Sequence, residues 1–259
     1  MNRNQCVQGL ILSVKPVGED NRLATIVSPE KGVFTALVYG GRKGKLRSSV
    51  TPYHSGKLWL YCDEVKKSIK ISDFDVTEYR TGIRENLYKS CGAALCAELV
   101  IKTQSGIDND KTWYLAKGYL DGLHLASEME CKLGTLRFLW RFLDLLGLQA
   151  DTEFCGFCGN PLISNSGTSP SNMILWYSTT DNTFLCNDCI HSGDISSFIK
   201  IHHQGLHYLH SINTASPAEV RRLILNPETV QELHELLFYL ISRFAETRLK
   251  ALEAGIGIL

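Results

Sequence analysis

No stretch of about 18 consecutive apolar residues occurs in this 259-residue sequence, so no membrane-spanning helix is expected. The opening MNRNQCVQGLILSV lacks the pattern of a signal peptide: its apolar run is short, alternates with polar residues and has no small-residue cleavage end. Net charge is also lacking, with 27 Lys and Arg against 27 Asp and Glu. Taken alone, that balance speaks against a nucleic-acid binder, whose affinity comes mainly from neutralising phosphates. Several catalytic signatures are missing. The metalloprotease His-Glu-x-x-His fails because His234-Glu235 is followed by Phe238 where the second histidine should stand. The His-x-Glu of zinc deaminases does not occur. Gly40 to Gly44 resembles a phosphate loop, but only three residues separate the glycines and Leu46 follows Lys45, where a P-loop needs four residues and then Ser or Thr.

The neutral total conceals an uneven distribution. Residues 1–80 hold 13 basic and 8 acidic side chains, a net of +5, and the remainder holds 14 and 19, a net of −5. Between Glu30 and Asp63 there is no acidic residue, while Lys31, Arg42, Lys43, Lys45, Arg47 and Lys57 all fall there. Within GGRKGKLRSS, Gly40 to Ser49, the cations Arg42, Lys43, Lys45 and Arg47 sit among glycines and hydroxyls. Mobile cations and hydroxyls suit a nucleic-acid backbone, which they bind without reading sequence. Tyr39, Tyr53, His54 and Trp59 lie close by and could stack on bases. The alternative is a solvated hairpin whose aromatics face the core, which for each aromatic taken singly is the preferred reading.

The first 80 residues read as strands. VQGLILSV, RLATIVSP, GVFTALVYG, KLWLYC and SIKISDFDV are rich in β-branched, aromatic and leucine residues and are separated by turn signals. Five short strands point to a small closed barrel, an OB-fold in the first place and an SH3-like barrel as the alternative. From Ile83 the period becomes helical. Leu87, Cys91, Leu95, Leu99 and Val100 predict one helix, Trp113–Leu125 a second and Lys132–Leu146 a third, the last apolar nearly all round and stopped at Gly147. Helical patterning resumes over Ile195–Leu209. Ser216-Pro-Ala-Glu219 is a capping box, and a final helix is expected over Pro227–Leu252. The fold class is therefore α+β: a barrel over 1–80, then an all-helical domain over 81–259 with a four-cysteine insertion at about 150–192.

That insertion holds Cys155-Gly-Phe-Cys158 and Cys186-Asn-Asp-Cys189. A two-residue gap lets both sulfurs of a turn point inward, and tetrahedral Zn²⁺ takes four such thiolates. A lost metal site, two disulfides or a redox pair are the other readings, although a thioredoxin-like motif would need a βαβ context. Four thiolates fill the coordination shell, which favours a structural clamp over a catalyst. The single cysteines Cys6, Cys62, Cys91, Cys96 and Cys131 suit a reducing cytosol. On the third helix Arg137 and Arg141 are four apart and share a face. They could receive an acidic, hydrophobic peptide tail, or form internal salt bridges, for instance to Asp144. His202, His203, His207 and His210 lack ligand spacing and read as packing and surface residues.

Taken in order, GLILSVKPVGEDNRLATIVSPEKGVFTALVYGGRKGKLRSS, the Gly147-Leu148 before the first Cys-x-x-Cys, the second Cys-x-x-Cys and the closing YLISRFAETRLKALE resemble the RecO family of bacterial recombination mediators, from about Cys6 to Glu253. The resemblance implies an OB-fold followed by a helical domain with a structural Zn²⁺ site. It implies a non-enzymatic, cytoplasmic and nucleoid-associated protein that binds single- and double-stranded DNA, anneals complementary strands and helps load RecA onto strands coated with single-strand-binding protein. RecR and the acidic C-terminal tail of single-strand-binding protein are the implied partners, with a functional link to RecF. Arg42–Arg47 falls where the family carries its basic segment, and Arg137 and Arg141 match its tail site by context. The competing expectations are a protein-interaction adaptor with incidental DNA binding, and a zinc hydrolase or nuclease, for which no carboxylate–histidine constellation is found.

Overall fold

The computed structural model describes residues 3–40, 44, 46–103, 108–163, 173–190, 195–244, 249–255 and 258–259. Two compact units result: Met1–Thr135 with Thr247–Leu259, and Leu136–Glu246.

In the first unit, β1 (Asn4–Val17), β2 (Asn21–Ser28), β3 (Gly32–Val38), β4 (Ser55–Asp63) and β5 (Ser68–Glu78) close into a barrel in the order β1-β2-β3-β5-β4. The pairing of β3 with β5 is parallel and the rest are antiparallel, an OB-like arrangement. Strand β1 closes the ring because it is long enough to pair twice. Asn4–Leu10 pairs with β4, and Leu10–Val17 pairs with β2 across an irregularity between Ile11 and Ser13. Alternation then sorts the side chains. Val7, Ile11, Ala24, Ile26, Ala36, Val38, Leu58, Leu60, Ile71 and Phe74 fill the interior. Between β3 and β4 a single turn, α1 (Leu46–Ser49), leads to the buried Val50, which completes that core.

Leu10, Leu12 and Val27 are also buried, although they belong to the outer side of β1 and β2. Helices α2 (Leu87–Lys102) and α3 (Asn109–Leu125) cover them. Asn86 caps α2 through the Lys89 amide, and Asp108 caps α3 through the Lys111 amide. A buried arginine ties barrel to helix: Arg80 Nε donates to Asp121 Oδ1 at 2.7 Å, and its Nη1 donates to the Tyr53 carbonyl and Ser55 Oγ. Lys117 bridges Asp121 and Glu78 at 3.0 and 3.3 Å.

Helix α4 (Glu128–Leu145) starts four residues before the expected boundary. Its start is set by Ser127, whose N–H and hydroxyl both bond Glu130. In the second unit its residues Leu136, Phe138, Leu139, Trp140, Phe142 and Leu143 are all buried, as an all-round apolar pattern predicts. Gly147 ends it with a φ of 69°: the Gly147 amide donates to the Asp144 carbonyl and the Leu148 amide to that of Leu143.

A three-stranded sheet follows, made of β6 (Ile174–Ser178), β7 (Thr183–Leu185) and β8 (Phe198–His202) in the order β7-β6-β8. Helix was expected over Ile195–Leu209, but Phe198–His202 is a strand, and α5 (His203–Thr214) begins only after it. The segment FIKIH alternates, and Leu175, Tyr177 and Ile201 are buried, so sheet pairing with β6 overrides the helical period. The capping box at Ser216 and Glu219 forms as expected and opens α6 (Pro217–Arg222). The last helix is shorter than expected: α7 (Pro227–Phe244) is followed by a separate α8 (Lys250–Ala254). In the first unit, both Glu98 oxygens accept from the start of α8, from the Lys250 and Ala251 amides. That carboxylate makes α8 a separate helix with its own N-terminal acceptor.

Two outcomes follow. Replacing Arg80 with Ala should cost about 3 kcal/mol in urea unfolding, at the low end for a broken buried pair because Asp121 is partly solvated; an unmoved midpoint would contradict this. Glu98 and Glu78 are both held below the ordinary 4.5: burial pushes them up, but their hydrogen bonds and the neighbouring Lys102 or Lys117 outweigh it. Folded values below unfolded ones stabilise fully above 4.5 and are lost as pH falls through the folded value. Acid should therefore destabilise the chain below about pH 4.5, and Glu98→Gln should remove part of that acid dependence and raise hydrogen exchange at Lys250 and Ala251.

Candidate nucleic-acid interface and metal centre

The four cysteines converge. Cys155 and Cys158 lie in a tight loop closed by the Phe154–Pro161 bridge, by the Cys155 amide on the Asn160 carbonyl and by the Gly159 amide on the Cys155 carbonyl. Gly159 has a φ of 73°, the left-handed conformation expected after the second cysteine of such a knuckle. Cys186 leaves β7, and one tight turn, Asn187–Cys189, brings Cys189 back beside it. The Gly156 amide donates to the Phe184 carbonyl and joins the two halves.

All four sulfurs lie within 4.8 Å of one another. Cys158 Sγ is 3.7 Å from Cys186 Sγ, which is 3.4 Å from Cys189 Sγ. Four sulfurs around an ion at about 2.3 Å form a tetrahedron with edges of about 3.8 Å. The cysteines are free thiols, so the disulfide reading is not met. Burial raises the Cys155 thiol, but hydrogen bonds from the Cys158, Cys186 and Phe157 amides outweigh it and bring it down to about 6. Burial pushes Cys186 up, and the contact with Cys186 pushes Cys189 up. Without a cation one sulfur takes the negative charge and its neighbours keep their protons. A divalent ion would remove that conflict. This donor set fits a metal ion held by sulfur alone, with no position left open.

The basic segment is only partly described. Arg42, Lys43 and Lys45 lie outside the described residues. Arg47 is exposed on α1. A residue that sequence reasoning missed fixes α1 in place. Arg22, on β2, donates from Nη1 to the Arg47 and Val50 carbonyls at 3.3 and 3.1 Å, and from Nη2 to the Leu46 carbonyl at 3.2 Å. These are carbonyls at the end of a helix, which a guanidinium satisfies well. Burial and the Arg47 charge lower the Arg22 pKa, so two cations are held together beside the segment. No motif in the sequence marks Arg22, because its partners are carbonyls 24 to 28 residues away.

The aromatics divide. His54 is buried, with Nδ1 2.9 Å from the Ser49 carbonyl. Burial pushes the Tyr53 hydroxyl up to about 12. These two follow the inward reading. Tyr39 and Trp59 do not, since they are 48% and 39% exposed.

In the second unit, Arg137 Nη1 donates to the Tyr208 hydroxyl at 2.9 Å. The salt bridge considered for Asp144 does not form: among the described residues neither Arg137 nor Arg141 has a carboxylate within ion-pair distance. Burial, then the charges of Arg137 and Arg221, push the Arg141 guanidinium below its ordinary value. Clustered cations without counter-charges make a place that would accept an anion. His202 lacks ligand spacing in the sequence, yet Glu232 accepts from both its Nδ1 at 2.6 Å and its amide at 3.0 Å. That contact crosses 30 residues and caps the approach to α5, so spacing could not reveal it.

Elemental analysis of the purified chain should find about one divalent metal per molecule. Cys186→Ala should abolish most of it, and chelation should raise protease sensitivity across 154–190. Four freely titrating thiols with no metal would contradict the assignment.

Among the described residues no helix is long and apolar enough to cross a membrane. A family model described as Recombination protein O N terminal matches residues 1–80, and one described as Recombination protein O C terminal matches residues 84–253. The chain is 28% identical over 236 residues to the DNA repair protein RecO of Heliobacterium modesticaldum, a match covering 89% of this chain and 81% of that protein. It is 24% identical over 234 residues to the protein of the same name from Oceanobacillus iheyensis, covering 90% and 85%. For that of Bacillus subtilis the figures are 25% over 186 residues, 70% and 67%. With a closed five-stranded barrel leading into helices and a four-cysteine cluster, these matches place the chain in the RecO family of DNA repair and recombination proteins.

Proposed function

We propose that this chain is a non-enzymatic recombination mediator. It binds single- and double-stranded DNA, anneals complementary strands and helps load RecA onto strands coated with single-strand-binding protein. Residues 1–80 act as the DNA-binding domain, and 81–259 as the helical domain with its zinc finger at about 150–192. The observation that carries this reading is the basic segment of an OB-like barrel. Arg42, Lys43, Lys45 and Arg47 fall in a stretch with no acidic residue from Lys31 to Cys62, and Arg22 holds the turn that follows. Such cations bind phosphate without regard to base, which suits a protein that must act on any sequence.

The metal at Cys155, Cys158, Cys186 and Cys189 is Zn²⁺, and its role is structural: a shell of four protein sulfurs leaves no place for water or substrate. Arg137 and Arg141 receive the acidic C-terminal tail of single-strand-binding protein, with Tyr208 holding Arg137 in position. RecR is a further partner, RecF acts in the same pathway, and the protein works in the cytoplasm on the nucleoid.

Exchanging Arg42, Lys43, Lys45 and Arg47 for Ala should weaken binding to single-stranded DNA. It should also flatten the log–log salt slope by about 3, since each phosphate contact on a single strand contributes roughly 0.7. An unchanged slope would refute the assignment. A chain that bound its protein partners but no oligonucleotide at physiological salt would instead be an adaptor. Arg141→Ala should reduce binding of an acidic tail peptide by about tenfold, as expected for one lost charge-assisted contact, and leave DNA binding intact.

A further inference from the structure

The barrel has one outer side covered and one open. Helices α2 and α3 cover β1 and β2, where Leu10, Leu12 and Val27 are buried. Helix α3 also packs on β3, but the outer side of β5 and β4, with Tyr39 just past the end of β3, carries instead exposed and half-buried rings with cations. On β4 the alternation that buries Leu58 and Leu60 turns Lys57, Trp59 and Tyr61 outward. Tyr61 stands opposite Lys70 of β5. Lys70 in turn pairs with Leu37 of β3, and Tyr39 is the next outward residue beyond Leu37. The Lys70 ammonium lies between two rings, 4.9 Å from the Tyr39 centroid and 5.9 Å from that of Tyr61. Among the described residues Lys70 has no carboxylate within ion-pair distance.

We propose that this side is a base-stacking path for single-stranded DNA, in which Tyr39, Tyr61 and Trp59 take successive bases and Lys70 takes an intervening phosphate. The proposal rests on the DNA-binding reading above and assigns that function a second, chemically distinct contact. Three arguments select the ligand. The barrel closes through Leu37 of β3 and Lys70 of β5 on this side, so recognition around Lys70 uses side-chain faces and not a strand edge. Ring faces with an unpaired ammonium between them match unstacked bases on an anionic backbone, whereas a duplex hides its base faces. Tyr39 is also followed in the sequence by Gly40 and the cationic stretch from Arg42 to Arg47. Outward neighbours on one strand are about 6.6 Å apart, a spacing that suits one base per ring on an unstacked strand. Asp73 stands opposite Trp59 and Asp75 opposite Lys57, so the phosphate belongs at the Lys70 end and the Trp59 end contributes stacking alone.

The test compares an oligothymidylate with an abasic strand of equal length and charge, using the full chain at one fixed salt concentration. Tyr39→Leu, Tyr61→Leu and Trp59→Leu keep apolar bulk but lose the ring. Each should weaken oligothymidylate binding by about tenfold and leave the abasic strand unaffected. Trp59→Phe should retain most of the affinity, while the quenching of tryptophan emission on binding should be lost. This readout does not depend on how the leucine variants fold. Lys70→Gln should weaken both strands and reduce the salt slope by about 0.7. If the unaltered chain binds both strands equally, and the variants match it, stacking is overturned while phosphate binding stands. If the unaltered chain binds neither, the DNA-binding reading itself has failed. Equal losses on both strands, or variants that change only self-association, also overturn the path.

Discussion

Strand β1 must serve two neighbours, and much of the first unit depends on its doing so. Its first half pairs with β4 and its second half with β2, with a break in register near Ile11 where the strand turns the corner. Closure joins β3 to β5 at Leu37 and Lys70 and sets which side chains face in. Once the ring is closed, the connection from β3 to β4 must cross one end of it. Val50 completes the core there, and α1 sits just ahead of it. Arg22 can then reach three carbonyls of that turn, which places Arg47 and anchors the cationic segment at its far end. The position of Arg47 thus follows from strand pairing rather than from any local motif.

The second unit solves a different problem. Its sheet has three strands, two of them five residues long and one of three, which is little to hold the two cysteine pairs together. The sulfur cluster supplies the missing constraint, drawing a knuckle at 155–158 and a turn at 186–189 to one point. Polar contacts do similar work nearby. Trp140 Nε1 donates to Asn213, Asn213 donates to Gln149, and Gln149 donates back to the Trp140 carbonyl. The two arginines of α4 stand outside this economy of paired groups. Among the described residues neither has a carboxylate within ion-pair distance, and Arg221 adds a further positive charge near Arg141, so a surplus of positive charge is built into a half-buried place.

The architecture was legible where period and punctuation are strong. All five barrel strands, helices α2, α3 and α4, the Gly147 stop and the Ser216 capping box could be read from the chain because each is a local signal. The cysteine spacing likewise predicted a cluster that the fold brings together. What could not be read depends on distant partners. Phe198–His202 lies within a longer stretch of helical period, Ile195–Leu209, but pairs with β6, and α8 owes its start to Glu98 about 150 residues earlier. Arg22, Arg80 and Glu232 act through contacts that no spacing encodes. Tyr39 and Trp59 were assigned to the core along with Tyr53 and His54, because composition cannot say which aromatics of a β-segment point outward. Strand register decides that, and it places Trp59 beside Lys57 and Tyr61 on the open side.

On this account the barrel engages the strand and the helical unit engages the protein that coats it. Annealing of complementary strands, followed with and without single-strand-binding protein, tests this division of labour most directly. The account predicts that the chain accelerates annealing of bare strands. It further predicts acceleration on coated strands only when the coating protein retains its acidic tail. Bare strands that anneal no faster with the chain present, or coated strands indifferent to loss of the tail, would contradict it.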